Sequence, residues 1–169
     1  MKISSSLKWN EHIDFVTSKA RKMIFLLSRM LENGFDYDIV LDVYCKEIRS
    51  VLEYCCVVYG HGLSQELDKQ LEAVQALVLR LVARHLEISM SYIELCIVFD
   101  IEPLCLRRQS QIDTFIRRTL KNPKYADMFS VKLGRDTKGA RTYQEYKCYT
   151  DRMFQSPLVE LTRRLNQLS

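Results

Sequence analysis

Long apolar runs are missing from this chain: none approaches the roughly 18 residues of a membrane-spanning helix, and the opening MKISSSLKWNEH is polar. The expected setting is therefore intracellular, cytoplasmic or nuclear, with no membrane partner. Glycine and proline are scarce, at 5 and 3 of 169 residues, which leaves few places for helices to break. The chain has no Gly-rich phosphate loop, no GxSxG and no HExxH. Its three histidines, His12, His61 and His85, lie on separate segments, so nothing favours a Ser/His or Cys/His pairing. Six cysteines are present, but none form the CxxC pairs of a zinc site. Without a secretory leader they read as free, mostly buried thiols. No metal or other cofactor is expected.

What remains is a chain of 47% apolar and 27% charged residues, the composition of one globular unit with a core. The net charge of +4 is unevenly spread. Residues 1–100 hold 11 Lys and Arg against 14 Asp and Glu, whereas residues 101–169 hold 14 against 7. A basic C-terminal part suits a phosphate-facing surface, because neutralised phosphates release condensed counterions. A solvated basic tail has the same composition.

Apolar residues recur at helical spacing, which predicts an all-α, bundle-like domain of about five helices over residues 1–122. A basic, partly irregular extension over 123–169 and a short closing helix follow it. The first helix carries Ile13, Val16, Ala20, Met23, Ile24, Leu27 and Leu31, with Asn10 as N-cap and a stop at Asn33-Gly34. A second runs from about Asp38 to Val58, capped by Asp36, with Ile39, Val40, Val43, Ile48, Val51, Leu52 and Cys55 inward. Ser64 caps a third and central helix with Leu67, Leu71, Val74, Leu77, Val78, Leu81 and Val82 as its stripe. Ser91 caps a short helix from Tyr92 to Phe99, and a fifth runs from Pro103 to Lys121, ending before Asn122-Pro123. Ser156-Pro157 opens the closing helix, which runs to Leu165.

The fifth helix is the best candidate binding surface. With about 100° between residues, Arg107, Arg117, Arg118 and Lys121 share an outer arc with Ser110 and Thr114, opposite Ile112, Phe115, Ile116 and Leu120. Asp113 is the one acid on that arc. Such a strip grips a sugar-phosphate backbone without reading sequence, although an ordinary solvated helix face has the same pattern. Lys19, Lys22 and Arg29 form a second basic patch on the first helix. Arg108 projects among apolar positions and is expected to anchor an internal ion pair, with Glu94 or Glu102 as candidate partners. Trp9 is expected to pack as an anchor at the helix entry. Tyr143, Tyr146 and Tyr149, interleaved with Arg141, Lys147 and Arg152, suit either base stacking or docking of a tail. His12 and Asp14 match half of an iron-binding triad, but on a helix they diverge by about 200°.

Three phrases occur in a fixed order: LKWNEHIDFVTSKA, YCKEIRSVLEYCCVVYGHGLS and KQLEAVQALVLRLV. With Pro103-Leu104, Arg107-Arg108, Leu120 to Pro123 and the closing KCYTDRMFQSPLVELTRRLN, they resemble the C-terminal, thumb and post-thumb region of LINE-type, jockey-like non-LTR retrotransposon reverse transcriptases. The resemblance implies a helical region that follows the polymerase palm and holds template and primer, either an RNA/DNA hybrid or single-stranded nucleic acid. It also implies an upstream palm as partner. The family's nucleotidyl transfer rests on metal-holding palm aspartates, including an adjacent pair, and this chain has no DD dipeptide. The chain alone is therefore expected to lack polymerase activity. It departs from the family at Ser50, at Cys56-Val57-Val58-Tyr59 and at Ala76-Leu77, where the family commonly has a proline, a CPVW-like turn and a basic pair. A non-catalytic helical interaction module, or an inert relic, is the alternative. The segment LKWNEHIDFVTSKARKMIFLL also looks like a short N-terminal piece of an AlkB-type oxygenase homologue, a helical similarity too short to transfer that activity.

Overall fold

A computed structural model describes residues 1–2, 8–60, 62–126 and 157–168, and among them every regular element is helical. The fold is all-α. Helix α1 spans Asn10–Glu32, and Ile13, Val16, Ala20, Ile24, Leu27 and Leu31 are buried along one face. Asn10 is its first helical residue rather than its cap; Trp9 occupies the cap position without a side-chain bond and anchors the entry at 2% exposure.

The long second helix expected from the sequence is broken. In its place stand α2 (Tyr37–Val43), a π-helical turn (Tyr44–Ile48), α3 (Arg49–Glu53) and α4 (Cys56–Tyr59). Across the π turn the inward line becomes Val40, Tyr44, Ile48 and Leu52, leaving Ile39 exposed. The break after Glu53 is an extended Tyr54 followed by Cys55 in the left-handed region, at φ 60°. A helix interrupted there leaves carbonyls without intrahelical partners, and the buried Tyr59 hydroxyl donates to one of them, Leu52 O. As a result Cys56, not Cys55, enters the core. Gly60 then lets α4 end tightly: an added Cβ there would lie 2.6 Å from Cys56 O and 3.1 Å from Ile112 Cδ1.

The central helix is α5 (Gln65–His85), which packs on α1, α6 (Tyr92–Val98) and α7 (Leu104–Lys121). Ser64 caps α5 by accepting from Leu67 N–H at 3.3 Å. Ser91 and Glu94 close a reciprocal capping box on α6. Leu71, Val74, Val78, Leu79 and Val82 are buried, whereas Leu77, expected inward, is exposed. Pro103 is the residue before α7 rather than its first, and Phe115, expected among the inward residues of α7, is 42% exposed. A short turn, α8 (Pro123–Ala126), and the closing helix α9 (Pro157–Leu168) complete the described elements. Leu161 and Leu165 of α9 meet Ile112 and Ile116 of α7 in a second small core that also touches Val57.

The described cysteines, Cys45, Cys55, Cys56, Cys96 and Cys105, are free, but only Cys56 and Cys96 are buried; the other three are half-buried. Among the described residues no helix is long and apolar enough to cross a membrane.

Candidate nucleic-acid interface

The basic residues of α7 divide into two groups. Arg107 and Arg108 are engaged inside the molecule. Arg107 donates to Glu53 of α3 through Nε at 2.6 Å and Nη2 at 3.3 Å, and Gln111 Nε2 joins the same carboxylate at 3.0 Å. That bidentate bond holds the guanidinium proton still more firmly than usual. Arg107 lies about a third of a turn from the buried line Leu104, Arg108, Ile112 and Ile116, near enough to reach inward. It therefore does not stand free on the outer strip with the other candidates. Arg108, at 3% exposure, makes the internal ion pair foreseen for it, but its partners are Asp68 and, at 3.9 Å, Glu72 of α5. Glu94 and Glu102 are not the acids it meets.

Arg117, Arg118 and Lys121 are exposed and make no ion pair with a described residue. The acid on their arc, Asp113, accepts from Arg164 Nη1 of α9 at 3.1 Å. Its negative charge is therefore matched by a cation, while Glu102, an exposed acid, lines the same face. A hollow of about 460 Å³ runs along this face, lined by Ser110, Asp113, Thr114 and Arg117 among others.

On α1, Lys19 and Lys22 are exposed and make no ion pair with a described residue, and Arg29 bonds Glu32 at 2.7 Å near the surface. The same side presents Phe15 and Leu26, with Phe25 beside Arg29 at 6.0 Å from ring to guanidinium. This patch is basic and apolar together, which charge counting alone did not reveal. Both patches lie on helices that pack against α5.

Other candidates fall elsewhere. His12 is buried and Asp14 is exposed, where Gln70 Nε2 donates to it at 2.8 Å, so the two point apart. No group of three or more metal-ligating side chains converges among the described residues. Tyr143, Tyr146, Tyr149, Arg141, Lys147, Arg152, His61 and Cys148 lie outside the described residues. Burial pushes the Cys56 thiol up to about 11 and raises Cys45, Cys96 and Cys105 as well, the opposite of what a thiolate nucleophile needs.

Sequence reasoning missed the polar web that sets α7 in place. Pro103 supplies no capping side chain, so Glu72 of α5 does so: its carboxylate accepts from Cys105 N–H at 2.5 Å, Leu104 N–H at 3.3 Å and the Tyr92 hydroxyl at 2.5 Å. Burial and this bond together raise the Tyr92 pKa. Two polar residues three apart on the central helix, Glu72 and Gln75, were the available signal. No family model, curated protein or solved structure matches the chain.

Proposed function

We propose that this chain is a non-catalytic helical module that holds nucleic acid, corresponding to the thumb and post-thumb part of a LINE-type reverse transcriptase whose palm lies upstream. The observation that carries the reading is the division of cations on α7. Arg107 and Arg108 are consumed by internal carboxylates, while Arg117, Arg118 and Lys121 stay exposed beside an acid already paired with Arg164. Lys19 and Lys22 on α1 add a second exposed pair. Cations without internal partners are those available to replace counterions on phosphates. The ordered phrases of the sequence supply the retroelement part of the reading.

The test is binding of the purified chain to a fluorescent RNA/DNA hybrid across a salt series. Saturable binding that weakens steeply with salt is expected. An Arg117→Ala, Arg118→Ala, Lys121→Ala variant should lower the log–log slope by about 0.9 for every phosphate it no longer neutralises. Arg107→Ala should instead lower stability with little change in slope. Absence of saturable binding by a folded sample would reject the reading. A primer-extension assay with divalent metal and dNTPs is expected to show no synthesis by this chain.

A second reading, a protein-facing module, is favoured by the exposed Phe25, Leu26, Ile39, Ile93 and Ile97, the last at 75%. A palm supplied in trans would bury part of that surface, and sedimentation of the mixture would show a complex.

A further inference from the structure

A cavity of about 440 Å³ opens between α1 and the end of α3, lined by His12, Phe15, Val16, Lys19, Val51 and Tyr54 among others. Its size falls in the ~300–1,000 Å³ range of small-ligand sites. The Phe15 and Tyr54 rings are 46% and 60% exposed, so each offers area to an incoming planar group. Cations surround the opening: Lys19 lines it, and the Lys2 ammonium sits 5.0 Å from the centre of the Phe15 ring. Lys22 continues along the same side of α1, about 4.5 Å beyond Lys19, and Arg29, bonded to Glu32, lies about 15 Å beyond Lys19. Four acids lie on the flanking turns: Glu11, one turn before Phe15; Glu47, one turn before Val51; Asp14, which accepts from Gln70 of α5; and Glu53, which is held by Arg107.

Stackable rings at a cavity with a line of lysines leading from it match the two needs of single-stranded nucleic acid, a face for the base and charge for the backbone. We infer that this cavity receives one unpaired nucleobase of a single-stranded nucleic acid, stacked against Tyr54 and Phe15, while Lys19 and Lys22 hold the adjoining phosphates. The inference rests on the nucleic-acid reading above and adds a base subsite on α1, away from the α7 strip. An acidic peptide bearing an aromatic anchor is the competing occupant, and its capture is one outcome of the test.

The test uses the full chain and a short single strand carrying 2-aminopurine, the same strand with an abasic site, and a duplex. Quenching of 2-aminopurine on binding is expected, and the abasic strand should bind less tightly. Tyr54→Ala and Phe15→Ala should each weaken single-strand binding roughly 5- to 150-fold, with Tyr54→Phe retaining it and the salt slope unchanged. Both rings are on the surface, and circular dichroism checks that the variants keep their helices. Equal binding of the abasic strand, or salt-dependent binding untouched by Tyr54→Ala and Phe15→Ala, would overturn the base subsite and leave the nucleic-acid reading standing. Failure to bind any strand at low salt, or capture of an acidic aromatic peptide alone, would overturn both.

Discussion

Gln75 sits in the middle of α5 at 0% exposure with a partner for both ends of its amide. Its Oε1 accepts from the Tyr44 hydroxyl at 2.7 Å, and its Nε2 donates to the Tyr92 hydroxyl at 3.0 Å and Glu102 O at 3.1 Å. One side chain thereby ties the π turn, α6 and the approach to α7 to the central helix. Replacing it with Leu strands several buried polar groups at once, and Gln75→Leu is expected to cost about 2–3 kcal/mol in urea unfolding. His12 acts at the same scale. Burial first, and then the positive N-terminal amino group, lower its pKa below the ordinary 6.5. The unfolded chain then binds the proton more readily than the folded one. His12 costs no stability above pH 6.5, and stability falls as the pH drops below that value until the folded-state pKa is passed. Unfolding curves at about pH 7.5 and pH 5.5 should show this decline, and a His12→Gln variant should lack that component.

Helix ends show how a glycine-poor chain stops its elements. Gly34, at φ 79°, ends α1, with Phe35 N–H reaching back to Met30 O at 3.1 Å. The same back-bonded turn ends α5 and α6 at Glu87 (φ 56°) and Asp100 (φ 51°), where Ile88 and Ile101 N–H bond Ala83 O and Cys96 O. A side chain in that region carries a steric cost that glycine does not, so Glu87→Gly is expected to stabilise the chain by about 0.5 kcal/mol in thermal or urea unfolding. The start of α7 depends on another element altogether. Removing the Glu72 carboxylate uncaps two N–H groups and takes away the acceptor of the Tyr92 hydroxyl, and Glu72→Ala should cost about 2 kcal/mol by the same measurement. Caps within a local segment, such as Ser64 and Ser91, were legible in the sequence because donor and acceptor lie within one turn. The Glu72 cap was not, because its partners lie 32 and 33 residues away.

At the scale of the molecule, α9 closes the second core by setting Leu161 and Leu165 on Ile112 and Ile116. Leu165→Ala should therefore lower stability by about 2 kcal/mol, with the main core intact. The closing helix also sets the charge of the candidate interface, since Arg164 reaches Asp113 on α7. Arg164→Ala is expected to leave that carboxylate facing the strip and to weaken hybrid binding, read in the same salt series.

The sequence by itself determined the all-α class, the positions of α1, α5, α6, α7 and the closing helix, and the apolar stripes that bury them, because helical periodicity and capping are local properties. It also marked Arg108 as internal, since a cation on an apolar face has to find an acid. Only the tertiary structure decided which acid that is, that Arg107 belongs to Glu53, and that the second helix breaks at Cys55 around the Tyr59 hydroxyl. It likewise decided that Phe15 and Tyr54 flank one cavity. Each of these depends on a pairing between residues distant in the chain, or on a backbone kink that shifts the facing side chains, and neither is encoded in the spacing of one segment.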